Sequence, residues 1–183
     1  MDNQILEEKE TANTGLKWGG YAGAAYVLST YVLYMVYKDG RCILWTNGFL
    51  PYIFVIIAMV FAAFEKRKLM GGYITFKVAV SNTFLVLVIS LLCFAVFYFF
   101  LFNTIAPTLN VSVKHMQLDA IQKMLLLLHT PKENLEEAMF PYKADDYIMT
   151  VPRIALETVF SIMKGFFWAA ITALIVRKNQ PTV

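Results

Sequence analysis

VAVSNTFLVLVISLLCFAVFYFFLF, residues 78–102, contains no Asp, Glu, Lys or Arg over twenty-five positions. At roughly 1.5 Å per residue, a helix of this length crosses a hydrocarbon layer about 30 Å thick. Its β-branched and aromatic residues do not make it a strand, because a membrane strand is about half as long and alternates polar with apolar positions. Lipid offers the backbone no hydrogen-bond partner, so a lone segment spanning it must be helical. Three further apolar runs flank this one, about 16–37, 43–64 and 154–176. The expected fold is therefore all-α, a bundle of four transmembrane helices.

Composition agrees. The chain has 183 residues, of which 58% are hydrophobic, 15% aromatic and 16% charged. Its mean hydropathy is +0.57. A water-soluble domain of this size cannot hide so much apolar surface, so residues 1–183 are expected to form one integral membrane domain. That excludes a secreted disulfide module, a disordered tail and an ordinary cytosolic enzyme. Net charge is +3 with the basic residues dispersed, which is no footprint for nucleic acid. Cys42, Cys93, His115 and His129 show no metal or disulfide spacing. No metal, cofactor or catalytic residue is assigned, and no serine or cysteine sits in a nucleophile motif.

The connections carry the topology. Met1 to Thr14 is polar and acidic, unlike a secretory signal, and reads as a short solvated tail. Asp39-Gly40 and Asn47-Gly48 mark turns between spans one and two. More than forty residues separate spans three and four. Within them Val111, Leu118, Ile121, Leu125 and Leu128 fall on one helical face. Thr130-Pro131-Lys132-Glu133 resembles a capping box that opens a second helix, with Pro141 expected to end it. The expected element is an amphipathic helical hairpin, about 107–141, lying on the membrane surface or against the span ends. Basic residues are nearly equal in number on the two sides. Lys66-Arg67-Lys68 and Arg177-Lys178, however, abut span ends, where the positive-inside rule weighs them most. Both termini and the 65–73 turn are thus expected in the cytoplasm, with the hairpin outside.

Four spans, Leu16-Lys17-Trp18-Gly19 leading into the first, Gly71-Gly72-Tyr73-Ile74-Thr75-Phe76 before the third, and a basic C-terminal segment are similar to domain-of-unknown-function family 4199. That family comprises small multi-pass membrane proteins of Bacteroidetes-type bacteria. The resemblance covers nearly the whole chain and implies a bacterial inner-membrane location and no known activity. Family members often carry an acidic residue just after the Gly-Gly-Tyr segment, where this chain has Lys77-Val78.

Three groups of residues stand out. Arg153, Glu157, Ser161, Lys164, Trp168 and Thr172 form one stripe of the fourth span. A lysine as deep as Lys164 costs about 3 kcal/mol to insert. It marks either a small polar cavity for an anionic headgroup or solute, or a snorkelling side chain that only fixes helix register. Tyr26, Ser29, Thr30 and Ser90 are expected at its depth. Gly19 and Gly23 are spaced for close helix packing, either between two copies or against the chain's own spans. Lys66, Arg67 and Lys68 are candidates for lipid headgroup contact or a topology signal. The leading functional expectation is a non-enzymatic accessory or scaffold subunit contacting lipid, a membrane-protein partner or a second copy. The alternative is a small-solute or lipid transporter working through the stripe on the fourth span.

Overall fold

A computed structural model describes residues 2–39, 41, 50–129, 131, 134–144 and 148–178; of residues 2–13, 50, 51, 141, 142 and 144 only the backbone is described. The protein is all-α. Helix α1 runs Asp2–Tyr37, α2 Leu50–Leu69 and α3 Phe76–Phe100, which continues through a π-helical stretch, Leu101–Ile105. Helices α4, Leu109–Leu127, and α5, Leu135–Ala144, form the hairpin, and α6 runs Val151–Val176. Among the described residues the one β-type contact is an isolated bridge between Ile74 and Lys178.

Helix α3 is the axis. It packs along α1 on one side and α6 on the other, while α2 touches all three. Glycine explains the closeness of α1 to α3. A Cβ placed on Gly19 would lie 2.8 Å from Ile89 Cβ, and one on Gly23 would lie 2.8 Å from Cys93 Cβ. The stripe is thus filled by α3 of the same chain, which is the intramolecular reading of that spacing. Ser90 Oγ, on α3, donates to the carbonyl of Gly19 at 3.1 Å. On the other side Gly165 of α6 admits Leu87, whose Cδ1 would be 2.6 Å from an added Cβ, and Thr83 Oγ1 donates to the carbonyl of Ala169 at 3.2 Å.

Several polar side chains are buried in the apolar core while many large apolar ones lie on the surface. Thr30, Asn82, Thr83 and Ser90 are 0% exposed, whereas Phe61 is 53% and Ile175 76% exposed. Leu28, Val32, Ile57, Val96 and Phe167 also project outward. Helices Phe76–Ile105 and Val151–Val176 are long and apolar enough to cross a membrane. The other two expected spans fall short of that measure for visible reasons. In α1, Tyr21, Tyr26, Tyr31, Tyr34 and Tyr37 dilute the hydropathy. In α2, the apolar part from Leu50 reaches only Phe64 before Glu65-Lys66-Arg67-Lys68 begins. Residues 43–49 of the expected second span lie outside the described residues.

Other boundaries shift. The polar tail is not a separate segment: its backbone continues α1 back to Asp2. Thr130, Lys132 and Glu133 of the expected capping box lie outside the described residues, and α5 begins at Leu135. Pro141 does not end α5, which runs on to Ala144; a proline in a short helix removes one i→i−4 hydrogen bond without stopping the chain. On α4, Leu118, Ile121 and Leu125 are half-buried as the stripe requires, but Val111 and Leu128 are exposed. Leu109 and Val113 are buried instead, against Tyr98, Phe102 and Ile154 at the end of the bundle.

Two knots close the ends. At one end Lys17 Nζ donates to Glu65 at 2.8 Å and Trp18 Nε1 donates to its other oxygen. The next turn reverses through Gly71 and Gly72, at φ +71° and +92°, a left-handed backbone that glycine tolerates. Gly72 N–H donates to Arg67 O at 2.8 Å, and Arg67 Nε donates to Gly72 O at 2.9 Å. At the other end Asn103 Nδ2 donates to Met149 O at 3.0 Å, and Asn110 Oδ1 accepts from Met149 N–H at 3.2 Å.

Replacing Gly19 with Leu should lower unfolding stability by about 1–3 kcal/mol, the range for overpacking a close contact. Gly20→Leu should leave it nearly unchanged, because a Cβ there meets nothing within 4 Å. Unfolding midpoints on titration with sodium dodecyl sulfate in mixed micelles would show the difference. Hydrogen bonds from Lys17 and then Trp18 hold the Glu65 carboxyl below its usual range. A depressed carboxyl contributes stability above its unfolded-state value that is lost as pH falls through the folded one. Stability should therefore decline on acidification below the ordinary glutamate range, by less than the Gly19→Leu effect since the pair is partly exposed. In Glu65→Gln that part of the acid dependence should vanish from the same titration repeated across pH.

Candidate functional site

Helices α2 and α6 converge at one end of the bundle and part toward the other. Ala63 of α2 shares a buried cluster with Ala173 and Val176 of α6 and with Ile74 and Ala79. Nearer the middle, Met59 and Ala62 still meet Leu87 and Ala169. Beyond that level a cleft of about 540 Å³ opens. Its walls include Tyr52 and Val55 from α2 and Glu157, Thr158, Ser161 and Lys164 from α6, with Tyr26 of α1 and Leu87, Phe94 and Tyr98 of α3. The volume lies within the range of about 300–1,000 Å³ usual for sites that enclose a drug-sized molecule.

The expected polar stripe is thus split by the fold. Glu157, Ser161 and Lys164 line the cleft, and Arg153 reaches Glu157 across one turn, Nε to Oε1 3.6 Å. Trp168 projects outward and Thr172 is buried. Ser161 Oγ donates to Glu157 O at 2.8 Å, and Thr158 Oγ1 donates to Ile154 O at 2.7 Å. These hydroxyl hydrogens are spent within the helix. Lys164 is exposed on the cleft wall and, among the described residues, has no acceptor in hydrogen-bond or ion-pair range.

Of the groups expected level with Lys164, only Tyr26 lines the cleft. Its ring stacks on Phe94, centroids 3.9 Å apart and planes 8° apart, and Phe94 lies 4.8 Å from Tyr98. Thr30 Oγ1 and Ser29 Oγ donate back to Tyr26 O, at 2.9 and 2.8 Å, and Ser90 is occupied by Gly19 and Val86. Tyr52, Phe94, Tyr98 and Thr158 had no signal in the linear sequence: they join the site only because α2 and α3 face α6 there.

Lys66, Arg67 and Lys68 do not act as one patch. Lys66 is 2% exposed and so is withdrawn from any headgroup. Arg67 is half-buried and caps its own turn, while Lys68 is exposed. The Ile74–Lys178 bridge brings the C-terminal basic pair to the same end, with Arg177 and Lys178 exposed and Lys178 Nζ 5.4 Å from the Tyr73 ring centroid. Among the described residues no group of three or more His, Cys, Asp and Glu side chains could hold a metal ion.

A family model described as "Protein of unknown function (DUF4199)" matches residues 17–178. No curated protein and no solved structure matches the chain. The match covers every residue that lines the cleft, and the chain belongs to this family.

Proposed function

From that membership, we propose that the protein is a multi-pass membrane protein with no catalysis of its own, an accessory or scaffold subunit that contacts lipid and a membrane-embedded partner. The observation that carries this reading is the large apolar outer surface of the bundle, together with the polar side chains buried inside it. Thr30, Asn82, Thr83, Ser90 and Thr172 are buried on α1, α3 and α6, while large apolar side chains face outward on α1, α2, α3 and α6 alike. Water would penalise such a surface and hydrocarbon would not. Four spans follow, with α1 and the shorter α2 sheltered by their contacts with α3.

The membrane proposed is the cytoplasmic membrane of a bacterial cell. Lys68, Arg177 and Lys178 gather at one end of the bundle. Basic residues beside span ends favour the cytoplasmic side, so both termini are placed there and the α4–α5 hairpin outside. Near an anionic leaflet each exposed basic residue contributes about 1 kcal/mol. Lys68 with the C-terminal pair therefore replaces Lys66-Arg67-Lys68 as the proposed headgroup contact. The hairpin exposes Met124, Leu126, Leu127, Leu128 and Phe140, a face suited to a membrane surface. A second reading, a transporter of small solute or lipid, is favoured by the cleft, which lies beyond the level where α2 and α6 pack together toward the Glu65 end.

Purification from the native cell in mild detergent separates the two. The accessory reading predicts a reproducible membrane-protein partner whose recovery is unaffected by Lys164→Leu. Repeated isolation of the lone polypeptide would contradict it, and loss of a solute flux in Lys164→Leu and Glu157→Gln would establish the transporter.

A further inference from the structure

We infer that the cleft between α2 and α6 binds an amphiphilic monocarboxylate, its head on Lys164 and its apolar body against the wall of Phe94, Tyr98 and Leu87. This rests on the membrane-embedded bundle proposed above and adds the chemistry of the ligand.

Charge sets the head group. Lys164 projects from a helix apolar enough to cross a membrane, where an uncompensated ammonium is costly. The one carboxylate on the wall, Glu157, already faces Arg153. Among the described residues, Lys164 is therefore left without a carboxylate of its own. A neutral ligand would not answer it, and a doubly charged phosphate monoester would bring a surplus charge into a poorly solvated site. A single carboxylate matches it and accepts hydrogen bonds from an ammonium that has three donors to give. The neighbouring hydroxyls of Ser161 and Thr158 donate to their own helix, so Lys164 is the principal donor on α6.

Shape sets the body. The opposing wall is mostly apolar, with the rings of Tyr26, Phe94 and Tyr98 in unbroken contact beside Leu87. Glu157 and Lys164 are seven residues apart on one helix, about 10 Å along its axis. A cleft of about 540 Å³ with this depth suits a single chain or a compact ring. The same chemistry has two sources, a single-chain lipid or a short acid from the aqueous side.

The test uses the full-length protein in nanodiscs of zwitterionic phosphatidylcholine, titrated with radiolabelled laurate and with 4-phenylbutyrate. At least one acid should bind saturably, with a Kd at least 10-fold lower than for Lys164→Gln, equivalent to about 1.4 kcal/mol. Lys164→Arg should keep most of that affinity. Dodecanol should compete no better against the wild type than against Lys164→Gln, a comparison that holds even if one variant folds poorly. Preference for laurate would assign the lipid source and preference for phenylbutyrate the aqueous one; either supports the inference. Equal binding to wild type and Lys164→Gln, or dodecanol matching laurate on the wild type, would overturn it. Wild-type protein that inserts normally but shows no such discrimination sinks this inference alone. Failure to insert would sink the membrane reading with it.

Discussion

The hydrogen-bonding demand of polar groups shapes this bundle. A hydroxyl or amide turned toward hydrocarbon would lack a partner, and burying one unpaired costs on the order of 1–3 kcal/mol. Thr83 and Ser90 meet the demand twice, each bonding its own helix and reaching a backbone carbonyl on a neighbour. Both acceptors, Ala169 and Gly19, are on small residues, because only a short side chain lets two helix backbones come so near. Close approach and inward polarity are thus one arrangement. In the proposed lipid surroundings apolar attraction would add little between the helices, so packing of this kind would have to hold them.

The cleft follows from where that packing stops. Small residues line α6 at Gly165, Ala169 and Ala173, and line α2 at Ala58, Ala62 and Ala63. Toward the other end α6 carries Glu157, Ser161 and Lys164 while α2 carries Tyr52 and Val55. Bulky and charged side chains keep those ends apart, and the knot of Asn103, Asn110 and Met149 anchors the start of α6 independently of α2. Lys164 sits at the boundary between the closed and the open portion, which is what gives an isolated cation in an apolar helix a place to face.

Much of this was legible in the sequence. The charge-free run from Val78 to Phe102 specified α3, and Gly19 with Gly23 marked a close-packing face on α1 without deciding whether another copy or one of the chain's own spans fills it. The stripe from Arg153 to Lys164 was visible as helical periodicity. Other features were not. Lys17 and Trp18 lie nearly fifty positions from Glu65, and no local pattern pairs them with it. Lys66 looked equivalent to Lys68, yet their different angular positions on α2 bury the first and expose the second. Tyr52 and Tyr98 reach the cleft through tertiary placement alone. The extent of α5 beyond Pro141 and of α1 back to Asp2 reflects backbone continuity that breaker and polarity rules undervalue.

Helix α2 bears most directly on whether lipid is the solvent, since its apolar part is short and its outward residues are strongly exposed. Spin labels at Ile57 and Phe61, and at Leu28 on α1, in protein reconstituted into bilayers would be read for collisional access to oxygen and to a water-soluble nickel chelate. Lipid-facing helices predict high oxygen and low nickel access at all three positions. Nickel access exceeding oxygen access at Ile57 and Phe61 would place α2 in water and contradict the four-span account.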